Sequence, residues 1–227
     1  MKKNPKYRYH YFAKNLVRPG DTVIDLGANL GYYSNLFQEW VGNSGKLYAI
    51  EPVIPFNEIL QWRLADKKHV TILPYALGIE EKNITLVIPK NLSYLSTGLP
   101  NVYNSETHGN LEEYGFKFEA KMKKGSVLFK DLDRLDFLKC DIEGYEEFVF
   151  PEMKSVFEKH LPIIQVETWG THKKVVEDFL LAIGYQQYHL FENKLQLTTA
   201  GHDVSVVDFI FMHPDNKVSM TRLTGVL

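Results

Sequence analysis

Val23-Ile24-Asp25-Leu26-Gly27-Ala28-Asn29-Leu30-Gly31 runs from an apolar block into two glycines four positions apart. The run predicts a buried strand, a tight turn and the first residues of a helix. A helix placed there points its free N–H groups back at the turn and favours negative charge, as in α/β sheets that receive a nucleotide-like ligand. A dinucleotide fingerprint, G-x-G-x-x-G, would need glycine at 29 and 32, where the chain has Asn29 and Tyr32. The spacing present is D-x-G-x-N-x-G. Gly27 and Gly31 let the backbone bend and approach a ligand, and Asn is the side chain that best tolerates a left-handed backbone between them. A strand–helix turn with no ligand is the alternative.

Twenty positions past Gly31 stands Glu51, at the end of the apolar segment Leu47-Tyr48-Ala49-Ile50 and before Pro52. An acidic residue at the tip of strand two suits a two-point hold on ribose hydroxyls. The turn and Glu51 together resemble the first motif of S-adenosylmethionine-dependent methyltransferases. In that reading the helix start meets the donor's carboxylate, and Asp25 accepts hydrogen bonds from its ammonium, directly or through water.

Apolar periodicity carries the α/β pattern outward. A helix is expected over residues 5–17, then strand one over 22–26. A helix over 31–41 presents Tyr33, Leu36, Phe37, Trp40 and Val41. A helix over 55–66 turns Phe56, Ile59, Leu60 and Leu64 inward, and strand three follows at 70–73. Short connections between parallel strands imply right-handed crossovers and helices on both faces. Order returns with strand four at 137–140, a helix broken by Pro151, strand five at 162–166, and a helix that buries Val175, Val176, Phe179, Leu180 and Ile183. Strands over 185–191, 195–198 and 204–212 read as antiparallel at one edge.

Between these halves lies an insertion over residues 84–130, with a strand at 84–88 and short strands around Phe116, Phe118 and 127–129. So long an irregular stretch in a compact domain reads as a lid over an acceptor site or as a structural hairpin.

The 227 residues, 44% hydrophobic and 13% aromatic, suffice for one domain with a sizeable core. A formal charge of -2 gives no general pull toward nucleic acid or membranes. One cysteine, Cys140, excludes an internal disulfide and a cysteine-rich metal site. With no apolar run of leader or membrane-spanning length, the expected location is the cytoplasm.

A second acidic group forms around strands four and five: Asp141-Ile142-Glu143-Gly144 and Glu167. Ligands of open α/β sheets bind beyond the carboxyl ends of the strands, so these residues are expected on one rim with Asp25 and Glu51. Three roles compete for Asp141 and Glu143. They could take an acceptor hydroxyl's proton, cap the next helix, or hold a divalent cation with Glu167. The acceptor role is preferred and no metal site is assigned. Among eight histidines, His172 follows Glu167 by five residues and is a candidate general base.

With these pieces in place the chain resembles the FkbM family of methyltransferases. The carrying residues are 23–34, Ala49-Ile50-Glu51-Pro52, Ala76-Leu77-Gly78, Lys139-Cys140-Asp141-Ile142-Glu143-Gly144-Tyr145-Glu146, and Pro162 to Glu167. The match spans about residues 15–190, and its Asp-x-Glu-Gly element is the most specific part. One departure is the compressed Asp131-Leu132-Asp133-Arg134-Leu135 segment before strand four.

The resemblance implies a Rossmann-like α/β sheet of order 3-2-1-4-5-7-6 with strand seven antiparallel. It implies S-adenosylmethionine as donor and a hydroxyl acceptor on a sugar or natural product. With neither an Asn/Asp-Pro-Pro-Tyr motif after strand four nor a broad basic face, and no apolar run of spanning length, no nucleic acid or membrane partner is expected. Donor contacts are expected from Asp25, Gly27, Ala28, Asn29, Gly31, Tyr32, Tyr33, Ser34, Glu51, Pro52, Ala76, Leu77 and Asp141. Catalytic candidates are Asp141, Glu143, Glu167 and His172. A nicotinamide-dependent oxidoreductase and a non-catalytic donor-binding module are the rival readings.

Overall fold

A computed structural model describes residues 8–90, 92, 100–198 and 207–223. The expected strand–turn–helix opens the sheet: β1 (Thr22–Leu26) leads through the glycine turn into α2 (Tyr32–Val41). Before it, α1 (Arg8–Phe12) and a 3-10 turn occupy the segment expected to be one longer helix, of which residues 5–7 lie outside the described residues. Next come β2 (Lys46–Ile50), α3 (Ile54–Leu64, with Pro55 in its first turn) and β3 (Val70–Leu73). The second half supplies β8 (Phe137–Cys140), α6 (Glu146–Glu152), α7 (Lys154–His160), β9 (Ile163–Glu167), α8 (Gly170–Ala182), β10 (Gln186–Phe191), β11 (Lys194–Leu197), β12 (Asp208–Met212) and α9 (Lys217–Leu223).

The eight-stranded sheet has the order β11-β10-β12-β9-β8-β1-β2-β3. Counting the crossover strands alone, this is the expected 3-2-1-4-5-7-6 arrangement with β11 added as a hairpin at one edge. β12 runs antiparallel to both β9 and β10. Alternate residues of one strand feed two cores. Val23 joins Phe12, Phe37, Phe137 and Ile210 on one face. Ile24 joins Phe150, Phe157, Val176 and Leu180 on the other. Burial on both faces explains why β1 reads as a continuous apolar run, interrupted only by Asp25.

The insertion is a second, four-stranded sheet of order β4-β7-β5-β6. Its strands are β4 (Tyr75–Leu77), β5 (Lys82–Pro89), β6 (Asn101–Val102) and β7 (Tyr114–Lys123), with the short α4 (Ser105–His108) beside them. Part of the expected polar loop, residues 91 and 93–99, lies outside the described residues. This sheet packs Ala76, Ile84, Leu86 and Met122 against Val53 and Phe56 at the start of α3.

Three local expectations are corrected. Residues 127–129 were expected as strand, but Val127 and Leu128 lie in the short helix α5 (Gly125–Leu128) and Phe129 closes its last turn. Phe129 is then buried edge-on against Tyr48, at a ring separation of 5.9 Å. Ile59 and Val175 were expected inward and are exposed, because each sits just beside the helical stripe that touches the sheet. Among the described residues no helix is long and apolar enough to cross a membrane.

Candidate active site

Three loops meet at the carboxyl ends of β1, β2 and β8. β1 is hydrogen-bonded to β2 on one side and β8 on the other, so the turn after β1 lies between those after its neighbours. Around it opens a cavity of about 480 Å³, within the range of small-molecule sites.

The glycine turn has the backbone its sequence demands. Gly27, Asn29 and Gly31 all have positive φ, at 79°, 52° and 83°. Asn29 Oδ1 accepts the Leu30 N–H at 2.7 Å, the local bond that makes Asn tolerable there. Gly27 is required for a reason the motif does not announce. A Cβ on it would stand 1.9 Å from the Asp141 carbonyl oxygen, so two backbone turns touch at this point. A Cβ on Gly31 would meet Leu60 Cδ1 at 2.5 Å.

Glu51 is fixed by the main chain. Its Oε2 accepts the Asn29 N–H at 2.7 Å and its Oε1 the Val53 N–H at 2.8 Å. Burial pushes its carboxyl up to about 7, although those two N–H groups and Lys139 pull the other way. It lines the cavity beside Pro52, Val53 and Phe56.

Asp25 is placed differently from expectation. It is fully buried, accepts the Ser34 hydroxyl at 2.6 Å, and does not line the cavity. Between Asp25 and the cavity stands Lys139, which the sequence reading quoted but gave no role. Its Nζ lies 3.3 Å from the Gly27 carbonyl, 3.4 Å from Asp141 Oδ2 and 3.8 Å from Asp25 Oδ1. Its signal was visible: a lone charge in the buried strand Phe137-Leu138-Lys139-Cys140 needs partners.

On the other flank, Asp141, Ile142, Glu143 and Tyr145 line the cavity. Glu143 has a φ of 59°, the strained backbone that functional turns tolerate. Burial first, then the Asp141 and Glu167 carboxylates, pushes its carboxyl up to about 8. Neither Asp141 nor Glu143 is the residue that caps α6, whose N-cap is Tyr145; Glu146, in its first turn, instead braces the acidic turn, its carboxylate accepting the Ile142 N–H at 2.9 Å. His172 and Glu167 stand outside the cavity lining. The His172 ring packs over Gly144, and its Nδ1 bonds Glu147 Oε1 at 2.6 Å. Among the described residues no three His, Cys, Asp or Glu side chains come together as a metal site.

Of the expected donor residues, Gly27, Ala28, Asn29, Tyr32, Tyr33, Glu51, Pro52, Ala76, Leu77 and Asp141 border one cavity, while Asp25, Gly31 and Ser34 lie behind its wall. The small sheet adds Leu86 and Val102, and α1 adds His10, which stacks on Tyr33 at 4.3 Å. Sequence periodicity could not reach these contributions, because they depend on how the insertion and the N-terminal segment dock.

The sequence profile of the methyltransferase FkbM domain matches residues 25–192. The chain belongs to the FkbM methyltransferase family. Family membership makes it an S-adenosylmethionine-dependent methyltransferase. The chain is also similar to a ribosomal RNA large subunit methyltransferase E of Legionella pneumophila, 26% identical over 76% of this chain and 79% of that one. The methyltransferase sdnD of Sordaria araneosa is 26% identical over 65% of this chain and 66% of its own length. A solved FkbM methyltransferase from Methylobacillus flagellatus shares the fold, with a TM-score of 0.54 at 14% identity, over 92% of this chain and 50% of that one.

The residues fit the donor. Glu51 offers an anchored carboxylate for hydroxyl groups, and the left-handed turn provides backbone approach. The cavity wall between them is mostly apolar.

Proposed function

We propose that this enzyme methylates a hydroxyl oxygen on a small molecule such as a sugar or natural product. The observation that carries this reading is the placement of Glu51 and of the Asp141–Glu143 pair in one cavity, on opposite flanks of the glycine turn. When bound, the donor supplies an electrophilic methyl group on a sulfonium. Glu51 accepts its ribose hydroxyls, Ala76 and Leu77 flank its ring, and the turn from Gly27 to Asn29 receives its amino-acid end.

Glu143 takes the acceptor's hydroxyl proton as the oxygen bonds to the methyl carbon and the methyl–sulfur bond breaks, its electron pair staying on sulfur to leave neutral S-adenosylhomocysteine, and Asp141 orients that hydroxyl. Phe56, Leu86 and Val102 exclude water, which strengthens each polar contact. The cavity also selects against polyanions. Glu51, Asp141 and Glu143 face it, Lys139 is already held by two carboxylates, and Arg63, the cation left on its rim, gives one of its N–H groups to the Leu30 carbonyl at 2.7 Å. Above about pH 8, where Glu143 is ionised, a phosphate next to the acceptor hydroxyl would meet carboxylates.

The test is methyl-labelled donor offered to a panel of hydroxylated small molecules and, separately, to ribosomal RNA. Labelled small-molecule ether is expected. Turnover should rise with pH up to about 8, where Glu143 becomes a proton acceptor. Glu143→Gln should lower kcat by roughly 10²- to 10⁴-fold, the usual weight of a general base, and leave donor affinity within a few-fold. Label in RNA alone, or an undiminished kcat in Glu143→Gln, would reject the reading.

A further inference from the structure

Lys139 is a buried cation where the turn after β1 meets the turn after β8. It sits opposite Asp25 in the β1–β8 pairing, so its side chain rises on the same face as that carboxylate. Only 4% of its surface is exposed. Its ammonium reaches across two turns: the Gly27 carbonyl belongs to the turn after β1, and the Asp141 carboxylate to the turn after β8. The Tyr33 ring covers it at 4.9 Å, a cation–π contact that fills the remaining side. Beneath the ammonium the two backbones already touch, because Gly27 has no Cβ to hold the Asp141 carbonyl away.

We propose that Lys139 is a positioning residue that ties the glycine turn to the acidic turn and sets the direction in which Asp141 enters the cavity. This rests on the methyl-transfer reading of the site. The titratable and charged groups around Lys139 are Asp25 on β1, Tyr33 on α2, Glu51 after β2, and Cys140, Asp141 and Glu143 on and after β8. Burial alone weakens the hold of this amine on its proton, and the Asp141 and Asp25 carboxylates more than reverse that. In return the amine is the main influence opposing protonation of Asp25, whose carboxyl burial pushes upward. Asp25 Oδ1 has no hydrogen-bond partner, and its ion pair is with this ammonium at 3.8 Å. The Lys139 charge therefore has two separable consequences: it opposes the burial that favours a proton on Asp25, and it keeps Asp141 aimed.

Two variants separate them. Lys139→Met keeps the length and removes the charge. It leaves Asp25 uncompensated, so Asp25 takes up a proton at higher pH than in the wild type and the pH dependence of unfolding changes. Asp25→Asn with Lys139→Met removes both buried charges and is expected to restore the stability, as paired removal of buried ions often does.

In this double variant, S-adenosylhomocysteine affinity measured by calorimetry should stay within about fivefold of wild type. The kcat should still be at least tenfold down, because Asp141 is no longer held. A kcat within threefold of wild type would overturn the positioning role and leave Lys139 as a counter-ion alone. Amide exchange of the unmutated protein gives a check independent of both variants. The Gly27 and Asp141 amides, bonded to the Ile50 and Leu26 carbonyls, should open with protection factors within threefold of each other. A gap above tenfold would show that the turns move separately and would equally overturn the proposal. Failure of the wild-type protein to bind S-adenosylhomocysteine is a different result, and would instead reject the donor assignment.

Discussion

Glu51 shows how one side chain couples binding to pH. Unfolded, a glutamate titrates near 4.3, whereas in the fold burial raises Glu51 to about 7. Between those values the folded state holds the extra proton. The contribution of Glu51 to stability is therefore fully favourable below the unfolded value and is lost as pH rises toward 7. Glu146, also pushed up to about 7 by burial, acts in the same direction. The free protein should accordingly melt at lower temperature at pH 8 than at pH 5.5. Donor binding has the opposite sign, because ribose hydroxyls need the ionised carboxylate as acceptor. S-adenosylhomocysteine affinity, followed by calorimetry, should weaken as pH falls below about 7, approaching tenfold per pH unit. Glu51→Gln should bind weakly at every pH and abolish that slope. A wild-type affinity flat from pH 6 to 8 would remove Glu51 from the ribose contact.

Elements explain which parts of the site were legible in the sequence. The strand–turn–helix around Gly27 was readable because its backbone depends on residues adjacent in sequence. Asn29 and the two glycines each announce a positive φ, and all three have one. The carboxylates after β8 were readable because α/β topology brings strand ends together. The depth of Asp25, the role of Lys139 and the apolar wall from Leu86 and Val102 were not, since each depends on contacts across strands or sheets. His172 misled for the same reason. Proximity to Glu167 in sequence suggested the cavity, while packing on Gly144 and the bond to Glu147 turn it elsewhere. Gly27→Ala separates local from cross-element causes. Both Gly27 and Gly42 have positive φ, and Gly42, with ψ −174°, lies in a region essentially confined to glycine, so either alanine meets about 1–3 kcal/mol of backbone strain. At Gly42 nothing lies within 4 Å of the new Cβ, whereas at Gly27 it strikes the Asp141 carbonyl oxygen. Gly42→Ala should therefore lose only that strain in urea unfolding and keep full donor affinity. Gly27→Ala should push the two turns apart and lose donor binding by more than tenfold.

At the scale of the whole molecule, the cavity and the fold's main ionic clamp lie at opposite ends of β1. Asp21 precedes that strand and is 1% exposed. Arg222, on the C-terminal helix α9, grips it with two bonds of 2.6 and 3.0 Å, and also donates to the Leu16 carbonyl at 2.7 Å. Asp21 further accepts the Arg18 N–H at 2.8 Å and an Arg134 contact at 3.3 Å, from the compressed segment before β8. One carboxylate thus joins the N-terminal segment, the start of β1, the approach to β8 and the end of the chain. Arg222→Met would leave Asp21 buried with a fraction of its partners, a change that typically costs about 3 kcal/mol when other contacts remain. β1 is five residues long, so roughly 15 Å separates the clamp from the glycine turn. The variant should therefore unfold at markedly lower urea, yet below its transition bind S-adenosylhomocysteine as the wild type does. Asp21→Asn combined with Arg222→Met should recover part of the loss, because no unpaired charge is left inside. Donor affinity falling in step with stability would mean that the two ends of the sheet are coupled, and that the clamp shapes the active site as well as the fold.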